Sequence, residues 1–147
     1  MNCSKFLFFL VSVIVVYAGL AITTCSKTVD QSAQLQRDSI AKLLDAYIAG
    51  YTTGDYTNVR FAADVTFEGP VTNGKIVGKS ALQKFLSNVR AKAVRVKRQI
   101  IDGQVACVLA EFETAEGIVV PFCEFFRIEN DEITEIRPYF DPRPLIR

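Results

Sequence analysis

The chain contains no histidine. Without an imidazole there is no base for a serine or cysteine triad, and histidine-dependent mechanisms are excluded. Cysteine is scarce as well, with four in 147 residues and no CxxC pair. Cys3 and Cys25 lie in or beside the first apolar stretch, which leaves Cys107 and Cys123 for the remainder. Two sulfurs and no histidine do not make a zinc site, so neither a metal nor another cofactor is expected. Charge of one sign is also lacking. The chain has 17 basic and 16 acidic residues, and the first 24 positions carry Lys5 alone, which leaves 16 of each sign beyond them. Nucleic acid and anionic membrane surfaces call for a basic excess, so neither is expected as a main partner. The basic run Arg90, Lys92, Arg95, Lys97 and Arg98 has no interleaved aromatics and reads as solvated surface. Internal repeats and low-complexity segments are absent.

What the chain does have is apolar pattern. Half of it is hydrophobic, and 147 residues suffice for one domain with a core but not for two ordinary ones. Lys5 followed by the uncharged apolar run 6–22, with Gly19-Leu20-Ala21 as small residues for cleavage, reads as a targeting segment. The run is also long enough for a retained membrane anchor, and lipid modification of Cys25 is a third reading. The expected organisation is a signal peptide or anchor over 1–24, a polar tether over 25–36 and the folded domain over 37–147. The expected location is secreted or extracytoplasmic, with membrane attachment only through an uncleaved segment or a lipidated Cys25.

Ile40, Leu43, Leu44, Tyr47, Ile48 and Tyr51 recur at steps of three and four, which predicts a helix over about 32–52 that stops at Gly54. Asp55 is placed to cap a short second helix to about residue 61, and 64–68 alternates as a short strand before Gly69-Pro70. After the Asn73-Gly74 turn, Ser80 is placed to cap a third helix with Leu82, Phe85, Leu86 and Val89 on one stripe. Four longer strands follow, over 93–101, 105–114, 118–129 and 133–140. They are divided by Asp102-Gly103, Ala115-Glu116-Gly117 and Asn130-Asp131-Glu132.

Loop lengths set the expected register: Val108 opposite Glu124, Phe112 opposite Val120, Pro138 opposite Glu124, and Ile136 and Phe140 opposite Phe126 and Phe122. One face then stays apolar across three strands, with Glu124 as its lone acid. The other face carries Val105, Cys107, Leu109, Val119, Cys123 and Phe125, an apolar patch suited to a twofold homodimer through the sheet. Cys107 and Cys123 are diagonal neighbours there, open to a disulfide or to two thiols.

This order of elements, with Tyr47, Gly54-Asp55, the run VTFEGP over 65–70, Gly78-Lys79-Ser80, Ile133 and Tyr139-Phe140-Asp141, resembles the SnoaL-like branch of the nuclear transport factor two-like superfamily over about 40–145. The resemblance implies an α+β fold in which a strongly curved antiparallel sheet wraps around N-terminal helices as a cone-shaped barrel with a pocket inside. It also implies dimerisation through the outer face of the sheet. The superfamily hosts isomerases, cyclases, epoxide hydrolases, dehydratases and pure binders, so fold alone assigns no reaction. Residue by residue, the isomerases' general base falls on Gly69 and the cyclases' and hydrolases' acid on Pro138, neither of which can move a proton. Glu111-Phe112-Glu113 offers no counterpart to the hydrolases' strand arginine and aspartate. Tyr47 and Glu124 fall where the isomerases place their oxyanion-hole tyrosine and acid.

An acid on an apolar face has its charged form disfavoured, and a neutral acid can donate a hydrogen bond. One reading of Glu124 is therefore a donor, with Tyr47, to a ligand carbonyl held between them. Its alternative is a direct bond from Tyr47, or a buried water, that only satisfies the interior. Tyr47, Phe67, Phe85, Phe112, Phe122, Glu124, Phe126 and Phe140 are the expected pocket, suited to a sterol-like, terpenoid or aromatic molecule. Three functions follow: an exported domain binding a small apolar ligand; an isomerase, cyclase or dehydratase using Glu124 and Tyr47; or a protein-interaction module working through the outer sheet face. Asp141, bracketed by Pro138, Pro142 and Pro144, is expected to anchor the end of the sheet, or else to sit at the pocket mouth.

Overall fold

Ile40, Leu43, Leu44, Tyr47, Ile48 and Tyr51 are all buried, so the stripe anticipated from their spacing is the core face of helix α1, 31–53. The computed structural model describes residues 31–145. The chain divides into two units, 1–36 and 37–147, and of the first only the exposed helical residues 31–36 are described. The targeting segment, its cleavage residues and Cys25 lie outside the described residues. Among those described, no helix is long and apolar enough to cross a membrane.

Gly54, at φ 74°, ends α1 and donates its N–H to the Gly50 carbonyl at 2.7 Å. The short helix expected after Asp55 does not form. The Asp55 carboxylate instead accepts from Thr57 N at 2.9 Å and Thr57 Oγ1 at 2.7 Å, which closes a turn, and Phe61 already belongs to strand β1, Phe61–Phe67. Two helices are therefore described, not three. The second, α2, covers Lys79–Leu86 and buries Leu82 and Leu86. Gly78, at φ 94°, is its N-cap, and no side chain caps it, so Ser80 does not have the capping role expected of it. Between β1 and α2 lies the two-residue strand β2, Ile76–Val77, too short to show any alternation.

The remaining strands are β3, Ala93–Asp102; β4, Val105–Glu113; β5, Val119–Glu129; and β6, Glu132–Tyr139. With β1 and β2 they form one curved, unclosed six-stranded sheet in the order β2-β1-β6-β5-β4-β3. This is the α+β architecture anticipated. One pair is parallel: β1 runs alongside β6 with Phe67 opposite Ile136. The expected register holds at Val108↔Glu124, Phe112↔Val120, Glu124↔Pro138 and Phe126↔Ile136. The last hairpin reaches it differently, through a two-residue turn at Asn130 and Asp131, both with positive φ, and an irregularity at Arg127/Ile128 that adds the missing step. Phe140 does not pair with Phe122, because β6 ends at Tyr139.

The face of the sheet that carries Ala106, Val108, Ala110, Phe126, Ile128 and Ile136 joins α1 and α2 in one buried cluster. Irregularities in β1/β6, β3/β4 and β5/β6 bend the ladder, as a curved sheet requires. On the opposite face Ile100, Leu109, Val119 and Tyr139 are exposed, and Cys107 and Cys123 are free, half-buried thiols.

Candidate functional site

Glu124 is fully buried on the inner face of β5, with Val108 and Pro138 opposite it on the neighbouring strands. Tyr47 and Tyr51 stand one turn apart on α1, so both phenols reach the same point of the sheet. Tyr47 Oη donates to Glu124 Oε1 at 2.9 Å, and Tyr51 Oη lies 3.0 Å from Oε1 and 3.2 Å from Oε2. The two phenol oxygens are 3.0 Å apart. Tyr47 is held by edge-on packing against Phe126, at 5.1 Å between ring centres, and against Phe61.

Proton counting shows how many links each state of this cluster can fill. Carboxyl to Tyr51, Tyr51 to Tyr47 and Tyr47 to carboxyl are three links, each needing one hydrogen. A neutral acid and two phenols supply three; a carboxylate leaves only two, plus a charge without a cation. Burial pushes the Glu124 carboxyl up to about 7, while hydrogen bonds from Tyr47 and Tyr51 pull it the other way. Burial, followed by the charge of Glu124, raises both phenols well above their ordinary value. With Tyr47 and Glu124 in direct contact at 2.9 Å, no carbonyl fits between them. The three polar groups thus have one another as partners.

Beside the ring lies a cavity of about 110 Å³. Phe67, Phe85, Phe112, Phe122 and Phe140, all anticipated as pocket residues, line it. Tyr47, Glu124 and Phe126 lie behind the wall instead, each fully buried and occupied by the others. The wall also includes Tyr51, Val71, Leu86, Val89, Val120, Pro138 and Leu145. Tyr51 was legible as the next residue on Tyr47's stripe, whereas Val71 and Leu145 come from a loop and the C-terminal turn and carry no periodic signal. Asp141 staples that turn by accepting from Arg143 N at 3.0 Å and Nη2 at 2.6 Å, which holds its carboxyl down at about 2.

Gly69 and Pro138, the two positions at which the resemblance was expected to show an acid and does not, touch each other. A Cβ on Gly69 would stand 2.6 Å from Pro138 Cγ. Tyr51 is the one ionisable side chain among the residues lining the cavity. On the outer face, Lys92 and Arg95 pair with Glu113 at 2.7 and 2.5 Å and Lys97 pairs with Glu111 at 3.0 Å, so these members of the basic run are matched by acids. No group of three or more ligating side chains suited to a metal occurs among the described residues.

A curved, unclosed sheet packed on helices is the fold that this chain shares with solved NTF2-like proteins. The chain belongs to the family described as Domain of unknown function (DUF4904), whose model matches residues 35–147. No curated protein matches it. Among solved structures it is similar to an NTF2-like protein of unknown function from Cytophaga hutchinsonii, at 24% identity over 71% of this chain and 92% of that one, TM-score 0.61. A de novo designed protein with a curved β-sheet is 23% identical over 73% of this chain and 88% of that one, TM-score 0.65. A Catenulispora acidiphila protein with a ketosteroid isomerase-like fold, solved in complex with trimethylamine, is 17% identical over 67% of this chain and 85% of that one, TM-score 0.59.

Proposed function

We propose that this domain binds a small, mainly apolar molecule in the cavity beside Tyr51. One observation carries the reading: the space is walled by five phenylalanines and six aliphatic residues or prolines, with Tyr51 as the single ionisable group. A preformed space of this kind is where a ligand gains most from leaving water. At about 110 Å³ it is smaller than an engineered apolar cavity of roughly 150 Å³ that takes benzene, so it suits a molecule of about four or five heavy atoms, or one ring held partly outside it, and not a sterol. The trimethylamine held by the Catenulispora protein is in this size class. An isomerase, cyclase or dehydratase would need a base, and Tyr51 alone titrates among the lining residues. Binding is therefore preferred to turnover.

The reading extends to an exported protein, on the apolar run 6–22, and to a homodimer through the outer sheet face, on exposed Leu109, Val119 and Ile100. Light scattering at micromolar concentration should find a dimer, and a monomer would remove that part. For the cavity, mass spectrometry of the gently purified protein and titration with toluene or phenol should each detect a ligand, and Val120→Phe should weaken binding by filling the space. No bound molecule and no saturable binding of any probe would end the proposal.

A further inference from the structure

The cavity and the acid behind it select a charge as well as a size. Glu124 is fully buried, and none of the ion pairs among the described residues involves it. When it is ionised, two phenol hydrogens serve it and a full negative charge is left in a dry interior, which is costly unless a cation joins it. Tyr51 belongs both to the hydrogen-bonded ring and to the cavity wall, so the cavity lies one side chain from that charge. Phenylalanines 67, 85, 112, 122 and 140 share the wall. Aromatic rings attract cations through their quadrupole, and the attraction grows as water is excluded.

The same wall rejects most cations. A metal ion or a primary ammonium brings several ligand or hydrogen-bond demands, and carbon surface with one phenol does not meet them. A methylated ammonium brings one N–H or none. We infer that the cavity's ligand is a small tertiary or quaternary methylammonium ion whose charge is balanced by ionised Glu124 behind Tyr51. This rests on the proposal that the cavity is a binding site. A tertiary ion donates its single N–H to the Tyr51 oxygen, whose own hydrogen goes to Glu124. As the cation enters, the Glu124 proton leaves to solvent, and net charge in the interior stays at zero.

The groups that face Glu124 are Tyr47 and Tyr51 from α1, Tyr56 from the loop after it, and Cys123 beside it on β5; Arg90 acts on Tyr56. β4 and β6 place Val108 and Pro138 against it, neither of which titrates. Glu124, held near 7, is thus the one of these that changes charge between pH 6 and pH 8.

Calorimetric titration of the full chain with tetramethylammonium chloride, trimethylammonium chloride and neopentyl alcohol, an uncharged molecule of similar shape with one added hydroxyl, at pH 6 and pH 8 in two buffers of different ionisation heat, tests the inference. The cations should bind at least about tenfold more tightly than neopentyl alcohol at pH 8, weaken by about tenfold at pH 6, and there release close to one proton. Glu124→Gln should lose the preference for cations over the alcohol and the proton release that goes with it. The wild-type proton release decides the matter if that variant does not fold. Equal binding of alcohol and cations, or cation binding without proton release, overturns the inference while leaving the apolar cavity in place. Failure of all three probes and of toluene overturns both.

Discussion

Two glutamates of neighbouring strands, Glu113 on the outer face of β4 and Glu124 on the inner face of β5, are the least exposed acids among the described residues, and they are kept there by opposite means. Glu113 sits at the end of β4 between Lys92 and Arg95, whose hydrogen bonds hold its carboxyl below the ordinary range. Glu124 sits under α1 between Tyr47 and Tyr51, and its carboxyl is pushed up to about 7. Depth raises the Glu124 carboxyl against the pull of its phenol partners, whereas hydrogen bonds from two cations lower that of Glu113. Glu113 is ion-paired at the surface; Glu124 has two phenols and, among the described residues, no ion pair.

The largest effect that sharpens this contrast is pH. The folded value of Glu124, about 7, lies above its ordinary 4.5, so its contribution is fully present below about 4.5 and is lost as pH rises through 7. Urea unfolding should show roughly 3 kcal/mol less stability at pH 8 than at pH 4.5 from this group, at about 1.4 kcal/mol per pKa unit, and Glu124→Gln should flatten that slope. A wild-type profile flat through this window would put Glu124 in the same class as Glu113.

A smaller effect is expected at Tyr56, whose ring packs on Gly50 and whose buried hydroxyl has no hydrogen-bond partner among the described residues. Removing an unsatisfied hydroxyl relieves a desolvation cost, so Tyr56→Phe should leave stability unchanged or raise it by about 1 kcal/mol in the same unfolding assay. A clear loss would mean that a water or ligand group bonds the hydroxyl. The smallest change belongs to Glu113→Gln. It should be minor, vanish in high salt, and have the opposite pH sign, because the Glu113 contribution is present above the ordinary carboxylate range and lost as pH falls below it.

Much of this was legible before any coordinates. The register that places Glu124 between Val108 and Pro138 follows from period-two alternation and short polar turns, which tolerate no one-residue slip without turning the apolar face to water. Tyr47 and Tyr51 follow from the helical period in the same way. Other features left no such trace. The helix expected after Asp55 is a turn, because one carboxylate bonding Thr57 outweighs a weak local preference. β2 is two residues long, and the parallel pairing of β1 with β6 joins segments that no local pattern links. The cavity wall takes Val71 and Leu145 from irregular segments, where position along the chain says nothing about direction.

By itself, then, the sequence determined which residues are inner and which outer, that one acid would stand among apolar neighbours, and that no histidine is there to act as a base. These are matters of composition and period, readable one segment at a time. Tertiary structure decided how that acid is used. Only the packing of α1 on β5 brings two phenols within 3 Å of one carboxyl oxygen, closes the gap where a carbonyl was expected, and moves the open space to the far side of Tyr51. Those distances depend on contacts 73 and 77 residues apart, and packing at that range is settled by the whole core at once.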